Sequence, residues 1–330
     1  MQHLLAYYLF LNEATHIMRE KIIIDCDPGQ DDAVALFLAM ASSDELDILG
    51  ITAVAGNVPL ELTQRNARII CDIAGNKDMS VYAGCSRPML LNLVTAENVH
   101  GMSGLDGIDI YEPVKKIDET HAVDFIIETL KASTDKSITL VPTGPLTNIA
   151  MAIIKEPSIL NNIKQIVLMG GAMREGGNLS PSAEFNILVD PHAAHVVFDS
   201  GLPIIVMSLD VTHQVLTTKE RVAKISKINN PAAQATAGML QFFARYDSAK
   251  YGFDGAPLHD PCTIAWLLEP DLFQGKPCHV SIETGSNLTM GHTAVDFWGI
   301  GNTKPNVTWM HTIDADGFYT LLTERLRNFA

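Results

Sequence analysis

Several things are scarce in these 330 residues, and each scarcity removes a class of function. Basic residues are few: 23 Lys and Arg stand against 38 Asp and Glu, a formal charge of −15. A phosphate-backbone binder holds its ligand through Lys and Arg, so this balance argues against a nucleic-acid partner. Small uncharged ligands stay open. Cysteine is sparse too. The five present (Cys26, Cys71, Cys85, Cys262, Cys278) are an odd, scattered set with neither disulfide-scaffold density nor zinc spacing. They read as buried thiols in a reducing compartment, which makes the expected location cytoplasmic. No stretch reads as membrane-spanning. The apolar run at 4–11 is too short to span a bilayer, lacks a preceding positive region and shows no small-residue cleavage site. Residues 1–20 are therefore set apart as an N-terminal extension, either a short added helix or an over-extended start with Met18 as the first residue. Also missing are a GxGxxG after the first strand and any GxxxxGK[ST], which weakens dinucleotide and P-loop readings.

What is present is organised around residues 21–41, KIIIDCDPGQDDAVALFLAMA. Ile22, Ile23 and Ile24 read as a buried strand. Four carboxylates follow within eight positions, Asp25, Asp27, Asp31 and Asp32, with a Pro28-Gly29 turn between the pairs. From Asp31 onward the apolar density is that of a largely buried helix. Four like charges at one loop raise the free energy of the fold unless something neutralises them. A helix start holds one carboxylate, at roughly 0.3–1 kcal/mol, and not four. A hard, oxygen-seeking cation such as Ca²⁺ or Mg²⁺ answers the problem. The plainer alternative makes Asp31 an N-cap with its neighbours in solvent.

Further along, strands read at 47–54, 79–83, 137–141, 163–169, 203–209, 278–283 and 294–297. Helical patterns fall between them, at 61–74, 121–132, 193–200, 219–228, 233–245, 262–268 and 317–327. This alternation predicts an α/β fold: a mostly parallel central sheet with helices on both faces, a Rossmann-like open sheet formed as a single domain over 21–330. Ligands in such sheets bind beyond the carboxyl ends of the strands, where the polar clusters at 25–32, Asn57, Thr143 and Asp210 all fall. Residues 98–107, NVHGMSGLDG, read as a Gly-rich surface loop able to order over a site, with His100 as a ligand contact rather than a core residue. Residues 178–191 read as polar and irregular, with Glu184 and Asn186 suited to sugar hydroxyls.

At DCDPGQDDAVAL the chain resembles the inosine-uridine preferring nucleoside hydrolases, whose signature is DxDxGxDD. The resemblance continues through AGN at 55–57, HGxSGLDG at 100–107, TGPLTN at 143–148, MGGA at 169–172, AEFNxxxDP at 183–191, LDVTH at 209–213 and HDP at 259–261. It covers nearly all of 21–330 and implies the nucleoside hydrolase fold. It implies hydrolysis of the N-glycosidic bond of ribonucleosides to ribose and free base, as in nucleoside salvage. A Ca²⁺ is implied at the base of the pocket, held by Asp27, Asp32, the Thr143 carbonyl and Asp260. Asp27 is implied as general base, and Asp31, Asn57, Glu184, Asn186 and Asp260 as ribose ligands, with Met169 beneath the sugar and Asp25 behind the loop. Histidines at the places of His100 and His259 mark the pyrimidine-preferring members, as does the block 251–273, so uridine and cytidine are the expected substrates.

Chemistry supports these roles independently. Breaking the bond develops positive charge at C1′ and O4′, which carboxylates on the ribose face stabilise. A metal lowers the pKa of a water and a carboxylate accepts its proton. Asn186 can donate to one sugar oxygen and accept from another. The leaving base needs a proton or hydrogen bonds, and His259 and His100 are the candidates. His213 reads as a satisfied structural histidine, and Tyr246 or Tyr251 as a further grip on the base. The competing readings are a purine or nicotinamide riboside hydrolase of the same fold, and a non-catalytic nucleoside-binding protein. A phosphorylase is disfavoured because Arg174 is isolated. The resemblance further implies a homotetramer or dimer.

Overall fold

The computed structural model of the protein describes residues 19–133, 135–251 and 254–329, the side chains of 246–251 apart. Residues 1–18 and any grip by Tyr246 or Tyr251 on a base thus lie outside the described residues.

The three isoleucines at 22–24 sit in β1, Glu20–Cys26. Successive side chains of a strand point to opposite faces. Ile22 and Ile24 accordingly enter one hydrophobic core, with Leu36 and Phe37, and Ile23 enters the other, with Leu140 and Ile149. A strand apolar on both faces needs helices on both, which is why its sequence shows no alternation.

Among the described residues eight more strands follow: β2 Leu46–Ala53, β3 Val81–Ala83, β4 Ile138–Pro142, β5 Ile163–Met169, β6 Ile204–Met207, β7 Phe273–Ile282, β8 Thr293–Asp296 and β9 Val307–Ile313. They form one sheet in the order β3-β2-β1-β4-β5-β6-β9-β7-β8. β1 to β6 and β9 run parallel, while β7 is antiparallel to β9 and to β8. The strand order reverses between β1 and β4, and a reversal of this kind opens a crevice at the carboxyl ends of the two strands. Asp25 pairs with Pro142 there, and the Thr143 N–H donates to the Asp25 carbonyl at 2.8 Å.

Five local readings need correction or refinement. β9 was not anticipated, yet it inserts between β6 and β7 and buries Trp309 completely. The strand expected through residue 209 stops at Met207, and Leu209–Thr212 turns into a short helix. Residues 98–107 keep the exposed turns expected of a surface loop, with Asn98 and Met102 in solvent, but the Glu97–His100 helical turn opens the segment, and His100 and Leu105 are buried. Three glycines with positive φ (Gly101, Gly104, Gly107) let that segment fold tightly against its neighbours. A Cβ on Gly107 would sit 2.7 Å from the Gly238 carbonyl. Finally, the polar segment 178–191 contains the Phe185–Val189 helix, and the helix expected to end at 245 runs Pro231–Tyr251. Among the described residues no helix is long and apolar enough to cross a membrane.

Candidate active site

The acidic loop leaves β1 and enters the Gln30–Met40 helix, and all four of its carboxylates are buried. The solvent-facing alternative therefore fails. Asp260 arrives from the start of the Pro261–Leu268 helix, more than two hundred residues later. Carboxylate oxygens of Asp31, Asp32 and Asp260 all lie within 4.8 Å of one another. None of the ion pairs among the described residues involves these acids.

Each carboxylate has its own surroundings. Asp25 accepts from Thr52 Oγ1 at 2.6 Å and from Asn148 Nδ2 at 2.7 Å, behind the loop. Asp32 accepts from the Asp27 and Gly29 N–H groups, from Asn57 Nδ2 and from Thr143 Oγ1, which ties the loop to β4 and to the turn after β2. Asp27 Oδ2 accepts from the Asn57 N–H at 2.7 Å, whereas its Oδ1 is buried with no hydrogen-bond partner among the described residues. Gly56 and Gly144 make room for it: a Cβ on either would stand 2.0 or 2.5 Å from an Asp27 oxygen.

Burial pushes Asp25 up to about 7, against the pull of Asn148 and Thr52. Burial, then the Asp32 charge, lifts Asp31 to about 7. Asp27 is raised well above the usual carboxylate range by burial and then by Asp32. Asp260 is raised likewise, by burial and then by Asp31, Asp32 and Asp27. Burial lifts Asp32 as well, opposed by the Gly29 N–H and Thr143. The donor set is all oxygen, and among the described residues two of its buried carboxylate oxygens, Asp25 Oδ2 and Asp27 Oδ1, have no hydrogen-bond partner. Such a set fits a divalent cation.

Above this floor opens a cavity. Its walls include Asp31, Asn57, His100, Thr143, Met169, Glu184, Asn186, His259 and Asp260, so nine of the sequence candidates meet at one place. Asp27 and Asp32 do not line it and lie in the protein beneath. Asn186 Nδ2 donates to the Thr143 carbonyl at 2.7 Å and to the Met169 carbonyl at 3.2 Å, joining the ends of β4 and β5. Glu184 caps the Phe185–Val189 helix, accepting from the Asn186 and Ile187 N–H groups, and it also accepts from Gly171. Burial raises its pKa, and these three N–H groups oppose the rise.

The histidines gather on another wall. His100 Nδ1 lies 2.7 Å from Gln30 Oε1, and its ring stacks on Phe243 with centroids 5.5 Å apart. His259 Nδ1 lies 2.8 Å from Thr212 Oγ1. Burial pushes both histidines down to about 3, His259 with added repulsion from His213 and His100, so both are neutral near pH 7. His213 also lines the cavity, 5.8 Å from the His259 ring, with Nδ1 2.9 Å from Glu175 Oε2. The Glu175 contact agrees with the satisfied histidine that the sequence predicts at 213.

Asp210 does not reach the cavity wall. It accepts from the N–H groups of Met173, Arg174 and Glu175, and from Trp309 Nε1, and so shapes the segment that carries Glu175. Arg174 rests on the Phe297 ring at 5.0 Å. Sequence reasoning passed over Gln30, Asn148 and Phe243. Gln30 and Asn148 were visible only as polar residues inside motifs, and Phe243 as one apolar position of a helical pattern.

The family model described as inosine-uridine preferring nucleoside hydrolase matches residues 22–320. An uncharacterised protein of Schizosaccharomyces pombe is 50% identical, over 93% of this chain and 98% of its own length. The pyrimidine-specific ribonucleoside hydrolase RihA of Photobacterium profundum is 49% identical, over 94% of this chain and all of its own. Among solved structures, the purine-preferring ribonucleoside hydrolase from Gardnerella vaginalis superposes with a TM-score of 0.87 at 33% identity, covering 94% of this chain and 98% of that one.

Proposed function

Because the chain belongs to the inosine-uridine preferring nucleoside hydrolase family and hydrolyses the N-glycosidic bond of ribonucleosides, we propose that it prefers pyrimidine nucleosides, cleaving uridine and cytidine to ribose and free base. The observation that carries the catalytic assignment is Asp27 Oδ1, buried and without a partner beneath a cavity whose floor is a cluster of acids. In this reading Asp27, Asp32, the Thr143 carbonyl and Asp260 hold a Ca²⁺. The bound ion supplies positive charge that keeps the acids ionised and makes a water acidic enough to attack at neutral pH.

Asp27 serves as the general base, because a carboxylate oxygen free of hydrogen bonds can accept a proton directly. Asp31, Asn57, Glu184, Asn186 and Asp260 bind the ribose, with Met169 under the ring. Their carboxylates face the sugar as positive charge develops at C1′ and O4′. Asn186 orients the ring, and His259 and His100 meet the leaving base. Residues 21–330 act as one domain in this reading, since the acids of the site come from both 27–32 and 260.

Pyrimidine preference is supported by the paired histidines on the cavity wall and by the name of the 49% identical relative. The Gardnerella vaginalis enzyme is described as purine-preferring, so inosine belongs in the panel. The test compares kcat/KM for uridine, cytidine and inosine. Inosine ahead by tenfold or more would overturn the preference, and ribose 1-phosphate as the product in phosphate buffer would overturn hydrolysis itself.

A further inference from the structure

Gln30 is the residue between the two acidic pairs, and its side chain is fully buried beside the cavity rather than in it. All of its hydrogen-bonding groups are accounted for. Its Nε2 donates to the His100 carbonyl at 2.8 Å and to the Asp106 carbonyl at 3.1 Å, which uses both amide hydrogens. Its Oε1 faces His100 Nδ1 at 2.7 Å. Turning the amide over would set its oxygen against two carbonyl oxygens and its NH₂ against the imidazole, so the network fixes the orientation.

An amide oxygen can only accept. His100 Nδ1 must therefore carry the proton in this contact, and a neutral imidazole has one N–H. Burial keeps His100 neutral. The ring is also held in place sterically. It lies so close to Gly29 that a Cβ there would stand 2.3 Å from Nδ1 and 2.6 Å from Cε1, while Phe243 stacks on it.

We infer that Gln30 is a positioning residue that locks His100 in the Nδ1–H tautomer and presents Nε2 to the substrate as a hydrogen-bond acceptor. His100 then does not protonate the departing base. It selects bases whose edge offers an N–H donor, such as N3–H of uracil or the exocyclic amine of cytosine. This deepens the proposed nucleoside hydrolysis and rests on it for the identity of the ligand, but the tautomer itself does not depend on activity.

The direct test is ¹⁵N spectroscopy of the full chain labelled at histidine, with the His100 signals identified by their loss in His100→Gln. The expected result is a protonated Nδ1 and an unprotonated Nε2. A proton on Nε2 would overturn the inference, whatever the enzyme hydrolyses. The second readout is the kcat/KM ratio of uridine to 3-methyluridine, which lacks the N3–H. A buried acceptor left unpaired predicts a ratio of roughly 10- to 100-fold. Equal values would overturn the selecting role. In Gln30→Met the ratio is expected to fall and the ¹⁵N signals to show mixed tautomers, an outcome that a methyl clash alone would not produce. An unchanged ratio together with an unchanged tautomer in that variant would show that Gln30 positions nothing. Failure of the wild-type protein to hydrolyse any nucleoside would instead sink the functional reading, and the ¹⁵N experiment would still decide the tautomer.

Discussion

Asp27 has two unlike oxygens: one is held by the Asn57 N–H, and the other has no partner. Asp27→Asn keeps the shape and the Oδ2 contact but removes the base. The expected outcome is a fall in kcat of roughly three orders of magnitude, in line with the worth of a general base together with impaired ion binding. Circular dichroism should show the fold intact, and near-normal turnover would exclude Asp27 as base. Gly29 tests a different feature of the same loop. Its φ of −95° is open to any residue, so Gly29→Ala is not a backbone problem. The added methyl would instead displace His100. Selectivity between uridine and 3-methyluridine should drop by about tenfold while the protein stays folded, because one buried hydrogen bond is misaligned.

Among the elements, the segment after β5 shows how a distant strand supports the site. Asp210 gathers three backbone N–H groups of residues 173–175 and the indole of Trp309, which sits on β9. Glu175 then meets His213 at the cavity wall. Asp210→Ala leaves several buried donors unsatisfied, so a loss of about 3 kcal/mol in urea unfolding is expected at unchanged m. KM should rise in the same variant, because His213 loses its support. A normal urea midpoint would show that solvent replaces Asp210. Glycine content makes 98–107 read as a surface loop, and packing gives that loop a buried side. Leu105 could not have been placed by local pattern, since its burial depends on which elements arrive around it.

For the whole molecule, the acids of 25–32 and Asp260 form one electrostatic unit. Without an ion, Asp25 and Asp31 titrate near 7. In the unfolded chain they titrate at about 4. The folded chain therefore holds protons that the unfolded chain has released, and this contribution to stability, complete below about pH 4, is lost as pH rises through 7. Chelator-treated protein should thus show a Tm that declines between pH 5 and 7.5. Added Ca²⁺ should restore Tm and flatten the slope, by mass action on the folded state. A Tm indifferent to chelator at pH 7.5 would argue against a resident ion.

The sequence alone determined the α/β architecture, because strand and helix periodicities are local and the parallel sheet follows from their alternation. It also singled out the acidic loop at 25–32, since a cluster of four acids at one strand end is costly wherever it lies, whereas Asp260 was reached only through the family resemblance. Other matters were settled only by the tertiary structure. β9, last of the strands in the chain, became an interior strand because sheet order depends on non-local pairing. Asp27 was separated from the cavity wall, and its Oδ1 left without a partner, by the approach of Asn57, Gly56 and Gly144 from other strands. Gln30, one polar residue inside a motif, gained its meaning from the His100 and Asp106 carbonyls, some seventy positions away, because a hydrogen-bond network exists only once its partners meet.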